Sequence, residues 1–230
     1  MTMPRLRFPI LGLALLASGC GSVQFSTLTI YETPSTYVRL EVDRTFGKNH
    51  SHPSPLTPEQ LGAALRGIVI EERLARIPYV DDTSLPRRHP VFTDEEAALF
   101  STLAAIALKS ATPEELVTFY RSIPPTGIRR EVTSGGLFVD NDELHLVIAN
   151  YRSPTHYMPD PQMADTPDDR RVPMESIAPQ RGPLDFEPKE ARLQPSTNAF
   201  GKLVQWDRRE LIVLWRKLPS RADQPDRPKE

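Results

Sequence analysis

From Tyr37 to Asp43 apolar and polar residues alternate, with Val38, Leu40 and Val42 on one side and Tyr37, Arg39 and Glu41 on the other. That period of two is the mark of a half-buried strand. Just before it, Leu28, Ile30 and Tyr31 outline a shorter strand that Pro34 ends. Three helix starts then share one grammar: Thr57-Pro58-Glu59-Gln60, Thr93-Asp94-Glu95-Glu96 and Thr112-Pro113-Glu114-Glu115. Each sets Thr at the N-cap and Glu or Gln three residues on, the pair that satisfies two free N–H groups reciprocally. Proline at the first helical position fits two of them, because its missing N–H has no partner to lose there.

The first helix is short: Gly67 interrupts it, and Ile68-Val69-Ile70 reads as a strand. The second runs from Asp94 to about Ser110 and places Leu99, Phe100, Leu103, Ile106 and Ala107 on one stripe, expected to be core. The third spans Pro113 to Ser122, with Leu116, Val117, Phe119 and Tyr120, and stops at Pro124-Pro125. Between the first two helices, Pro78 to Pro90 reads as an exposed connector whose Arg87-Arg88-His89 patch serves solubility.

Leu137-Phe138-Val139 and Leu144 to Tyr151 flank Asp140-Asn141-Asp142-Glu143, residues that tolerate the positive φ of hairpin turns. The segment predicts an antiparallel hairpin preceded by a strand from Ile128 to Val132. Ser134-Gly135-Gly136 between them is either an anion-binding backbone nest or a bulge allowing close approach of chains. The bulge is the preferred reading, since no helix starts there. Nine of the 24 prolines fall between Pro154 and Pro195, a density that argues for irregular backbone. Leu184-Asp185-Phe186 and Ala191-Arg192-Leu193 are the pieces of that stretch able to lie extended against a sheet. Leu211 to Trp215, inside Glu210 to Lys217, is an apolar run of strand length expected to return to the same sheet. The expected fold is a single α+β domain over residues 36–218, with an antiparallel sheet of about five strands, three helices, a proline-rich surface insertion at 153–196 and a disordered tail at 219–230.

The N-terminal residues carry a different signal. Arg5 and Arg7 precede an apolar run from Phe8 to Ala17, which ends in Ala17-Ser18-Gly19-Cys20. The run is too short to span a bilayer, which takes roughly 20 residues, and has the order of an export signal covering residues 1–19. Leu16-Ala17-Ser18-Gly19-Cys20 resembles the lipobox of bacterial lipoproteins, although Ala17 stands where Leu is most common. That resemblance implies cleavage before Cys20, a diacylglycerol on its sulfur, and a lipidated tether over residues 20–35. Two or more acyl chains anchor stably where one binds only marginally. Gly21, rather than Asp, resembles the sorting signal for the outer membrane in hosts that have two membranes.

Processing at Cys20 removes two of the 28 basic residues and leaves 26 against 30 acidic ones, a formal charge of −4. No basic stripe for nucleic acid is present. Cys20 is the single cysteine, so the domain has no internal disulfide and must be held by its core. The familiar catalytic motifs are missing: no Gly-x-Ser-x-Gly elbow, no His-Glu-x-x-His, no Walker-type glycine loop. His50 and His52 form the one histidine pair spaced to share a metal, but the polar loop from Gly47 to Pro53 offers no further ligand cluster, and a solvated loop is preferred. His89, His145 and His156 stand singly, as surface or structural residues.

Thr133 to Val139, followed by Leu144 to Arg152, is similar to a group of bacterial lipoproteins of unknown function. The likeness implies no activity, cofactor or catalytic residue. The expectation is therefore a non-enzymatic envelope lipoprotein, a structural or interaction module on the periplasmic face of the outer membrane. Its partner would be another envelope protein or peptidoglycan. The alternative is a periplasmic module for a small ligand or metal, and the remoter one a hydrolase with an unfamiliar site.

Overall fold

The computed structural model describes residues 26–72, 86–123, 129–156, 169–180, 182–193 and 209–218. The signal, Cys20, the first part of the 78–90 connector and the 219–230 tail lie outside them. The alternating segment is strand β2 (Thr36–Val42), and the shorter one is β1 (Ser26–Glu32), which pairs with it antiparallel. The sheet thus begins within the span expected to serve as tether. Thr57 and Gln60 close the first capping box, and α1 (Pro58–Gly67) passes into β3 (Ile68–Glu71) as the glycine predicts. The expected connector is ordered at its end: β4 (Arg88–Pro90) pairs with β3.

Helix α2 (Asp94–Ser110) starts on the capping box of Thr93 and Glu96. It is rotated from the expected stripe. Ala97, Phe100, Ser101, Ala104, Ala105, Ala107 and Leu108 are buried, Leu99 and Leu103 are half-buried, and Ile106 is 50% exposed. Small residues rather than large ones face α1: a Cβ on Gly62 would stand 3.5 Å from the Ser101 hydroxyl. Close helix approach outweighs the larger apolar area of Ile106, because α1 packs directly against α2.

The third expected helix is a strand, β5 (Glu115–Ile123). Half of its capping box survives: the Thr112 N–H donates to the Glu115 carboxylate at 2.8 Å, and the Glu115 N–H returns to the Thr112 carbonyl at 3.0 Å. These bonds close a turn and no helix follows. Leu116, Val117, Thr118, Phe119 and Tyr120 are β-branched or bulky residues suited to a pleated surface, and β2 and β6 pair with both edges of the strand.

The expected hairpin is longer than its pattern suggested, with β6 (Arg129–Asp140) and β7 (Glu143–His156) joined through Asn141 at φ 54°. Ser134-Gly135 is a site of register shift, as the bulge reading requires. A Cβ on Gly135 would lie 1.9 Å from the Val147 carbonyl oxygen, so only glycine permits that approach. Leu184–Phe186 is β8, and β9 (Glu210–Leu214) returns beside β7.

The result is an α+β fold with two sheets, ordered β1-β2-β5-β6-β7-β9 and β4-β3-β8, every pairing antiparallel. Among the described residues there are two helices, and six strands in the large sheet rather than five. Val38, Leu40, Val117, Phe119, Leu137, Leu144, Leu146 and Val213 form one face of the large sheet and pack in a single apolar core with Leu61, Leu65, Phe100 and Leu108 of the helices. Leu108 is fully buried, and truncating a buried Leu costs about 2–5 kcal/mol. Leu108→Ala should lower stability by about that much in urea unfolding, while Ile106→Ala should change it by less than about 0.5 kcal/mol. Equal effects would contradict the observed rotation of α2.

Candidate functional site on the polar face of the large sheet

A strand sends alternate side chains to opposite faces, so the register that builds the core also builds a second surface. Tyr37, Tyr120, Ser134 and Asn150 form one row across β2, β5, β6 and β7. Arg39, Thr118, Gly136, Val147 and Glu210 form the next. Phe138, His145 and Ile212 lie beyond, with Glu41 and Leu116 on the neighbouring strands. Most of these residues are buried although neither helix packs on them.

Residues 169–180 cover the Tyr37–Asn150 row and Gly136, while Phe46 and His50 lie against Phe138. The Tyr37 hydroxyl donates to the Arg170 carbonyl at 2.7 Å, Ser134 Oγ to the Pro173 carbonyl at 2.8 Å, and Asn150 Nδ2 to the Glu175 carbonyl at 2.7 Å. Asn150 Oδ1 accepts the Ile177 N–H at 2.9 Å. At the leading end of the strap, Asp169 accepts from the Tyr120 hydroxyl at 3.0 Å and from Arg130 at 2.5 Å. The Tyr37 and Tyr120 rings stack at 5.3 Å and 8°, with Arg170 over both and Arg39 4.0 Å from the Tyr37 ring. Burial first, then Glu41 for Tyr37 and Asp169 for Tyr120, pushes both phenols far above their usual range. Both therefore remain donors at any physiological pH. Over its described residues the 153–196 stretch, expected as a surface insertion, is thus packed against the sheet.

His50 and His52, the weaker metal reading of a loop expected to be solvated, are placed together. His50 and His52 are buried, not solvated, with ring centroids 5.5 Å apart. His50 Nε2 meets Asp43 Oδ2 at 2.8 Å, and His52 Nε2 accepts the Val139 N–H at 3.1 Å. Asp43 Oδ1 also accepts the N–H groups of Thr45 and Phe46, so the loop is wrapped on that carboxylate. Among the described residues no group of three or more His, Cys, Asp and Glu is arranged to hold a metal ion. His145 Nδ1 meets Glu210 at 2.6 Å and its ring stacks on Phe138 at 4.4 Å. His89 bonds the Pro86 carbonyl at 2.6 Å and the Tyr151 hydroxyl at 2.8 Å. Within the Arg87-Arg88-His89 patch Arg87 is exposed, but His89 is held as above and Arg88 bonds Asp185 and Glu187, clamping β4 to β8 and the turn after it.

Arg209 joins the two sheets. Its guanidinium donates to the Ile148 carbonyl and the Gly182 carbonyl, both at 2.8 Å, and burial pushes its pKa down to about 10. Gly182 itself lies so near the Glu71 carbonyl that a Cβ would come within 2.0 Å of it. Little in the residue pattern foretold this surface. Its one visible trace is the set of polar residues, such as Tyr37, Arg39, Glu41 and Asn150, within strands whose other positions are core. No protein-family model, no curated protein and no solved structure matches the chain.

Asn150 makes four hydrogen bonds in a buried setting, and leaving such partners unsatisfied costs about 1–3 kcal/mol. Asn150→Ala should lose that much in urea unfolding; a neutral result would mean water replaces the amide without penalty. His52 supplies a pH dependence. Burial and then the His50 charge lower its pKa below 6.5, so the unfolded chain binds more protons than the folded one once the pH falls below that value. Its contribution is present above pH 6.5 and is lost as the pH falls through the depressed folded value. Between about pH 7.5 and about pH 5.5 the urea midpoint should drop less in His52→Gln than in the wild type. An identical drop would assign the effect to other groups.

Proposed function

We propose that the chain is an envelope lipoprotein, held to the membrane by a diacylglycerol on Cys20, whose α+β domain acts as a structural or interaction module. The observation that carries this reading is the order of the N-terminal signals: Arg5 and Arg7, the apolar run, then Leu16-Ala17-Ser18-Gly19-Cys20 with the chain's single cysteine at its end. The fold is compatible with close tethering. β1 begins six residues after Cys20, and six residues reach at most about 20 Å, so in this reading the domain stays close to the membrane. Among the described residues no helix is long and apolar enough to cross a membrane, and the lipid is the anchor in this reading. Gly21 points to the outer membrane where the host has two, with the domain facing the periplasm. The partner is a second envelope component.

His50, His52, His89 and His145 and many of the buried carboxylates are tied into caps, ion pairs and main-chain bonds. That usage favours a scaffold over a ligand or metal carrier. Cys20→Ser should abolish lipidation, so that the chain leaves the membrane fraction or accumulates as precursor on immunoblots. Normal processing with continued membrane pelleting would overturn the lipoprotein reading.

A further inference from the structure

Among the described residues β1 ends the large sheet, and the side of it that faces the helices is incompletely covered. Leu28 pairs with Leu40 and Tyr31 with Val38, and directly paired residues share a face, so both project on the side where Val38 and Leu40 are core. Yet Leu28 is 46% and Tyr31 36% exposed, while Ile30 between them packs on the edge of the core. Helix α2 is the neighbour of this overhang, for it touches β1, β2 and β5. On its Ser101 side α2 meets α1, which continues into β3, and β8, the partner of β3, touches β9 at the opposite end of the sheet. Leu99, Leu103 and Ile106 recur at helical spacing on the side of α2 away from Ser101, and therefore border β1. Leu28, Tyr31 and Ile106, exposed, and Ile30, Leu99 and Leu103, half-buried, thus make one apolar rim along β1 and α2.

We propose that this rim is a bilayer-contact surface, which rests on the membrane that holds the lipid of Cys20 and fixes the orientation of the domain there. The proposal rests on the lipoprotein reading and adds the face that meets the lipid. Position selects the occupant. Leu28 is eight residues from Cys20, so it stands no more than about 30 Å from the anchor. The polarity of the rim agrees. Arg121 pairs with Thr36 near the end of β1 and bonds Glu96 in the first turn of α2 at 3.0 Å, so Glu32 and Glu95 lie at the end remote from the tether. Leu28, Ile106 and Lys109 lie at the end where the tether enters, since β1 starts there and α2 finishes there. Apolar side chains beside a lysine and a tyrosine suit the headgroup boundary, where both long side chains keep their stems in lipid and their polar tips in water. A second copy of the chain fits less well. β1 carries register shifts between Ser26 and Leu28 and between Thr29 and Tyr31, and bulges turn an edge strand away from pairing with another chain. Six apolar side chains are also few for a stable protein interface, which buries roughly 1,000 Å² or more. A domain already tethered to the bilayer needs far less, because the second contact forms within one assembly.

The test sets a fluorescent dye on the rim and another away from it. Ile106→Cys and Lys189→Cys, the latter exposed beyond β8 of the small sheet, are each labelled with nitrobenzoxadiazole in full chain purified from membranes, where lipid occupies the Cys20 thiol. Each is reconstituted in vesicles of phosphatidylethanolamine and phosphatidylglycerol. A nitroxide-bearing lipid should quench the dye at position 106 at least about threefold more than the dye at position 189, since nitroxide acts at short range and an interfacial apolar face sits about 5–10 Å into the headgroup boundary. Adding Leu28→Asp should bring quenching at 106 down to the level at 189, with the thermal transition checking that the variant folds. The comparison of the two dyes decides without it. Equal quenching at both positions would overturn the proposal, and so would self-quenching of the 106 dye that grows with protein density, the sign of a second copy on the rim. Mass spectrometry of the purified chain reads the acyl groups on Cys20 separately. Where they are absent, the two dyes are compared on a chain starting at residue 20, with Cys20→Ser and an N-terminal hexahistidine tag held by a nickel-chelating lipid. Stronger quenching at 106 there supports the rim although the natural anchor has failed, and equal quenching overturns it.

Discussion

An antiparallel sheet of six strands has two faces, and two helices can cover only one. The burial of the other face governs much of what is unusual in this molecule. Irregular chain laid on a sheet brings main-chain carbonyls and N–H groups into a place where water no longer reaches them all, and each must find a partner or cost stability. Tyr37, Ser134 and Asn150 are those partners, aligned across three different strand pairings. The same need explains why the face is polar: an apolar surface could not satisfy the backbone that covers it.

Other joints of the fold follow the same rule. Arg209 answers two carbonyls where the sheets meet, Asp43 answers two N–H groups and an imidazole at the turn after β2, and Asp185 is shared by Arg88 and Arg192. The Asp185 carboxyl is partly buried, which would raise its pKa, yet the Phe186 N–H and the two guanidinium groups hold it below the usual range. With no cysteine beyond Cys20, these charged and polar clasps do the joining that disulfides perform in many exported domains.

The two faces also divide the labour of the molecule. The helical face is apolar and interlocked through Phe92, Phe100 and Phe119, whose ring centroids lie 5.4–5.8 Å apart. It supplies stability. The polar face holds its cover by bonds to the main chain of residues 170–177 together with side-chain contacts from Asp169, Arg170, Ile177 and Gln180.

Local chemistry alone determined the capped starts of α1 and α2, the break at Gly67, the Asn141 turn, the glycine bulge and the strand character of Tyr37 to Asp43, since each depends on backbone preferences of a few neighbouring residues. The lipobox resemblance at Cys20, on which the proposed membrane anchor rests, is likewise carried by a few neighbouring residues. Tertiary structure decided the rest. The Thr112 to Glu115 box was strong enough to order a turn, but a strand flanked on both edges outweighed the helix it promised. The rotation of α2 depended on how near α1 could come, which no single-helix pattern records. His50, His52 and the proline-rich stretch read as solvated because their partners, Asp43, Val139, Tyr37, Ser134 and Asn150, are supplied mainly by sheet registers, and register is a property of strands brought together from distant parts of the chain.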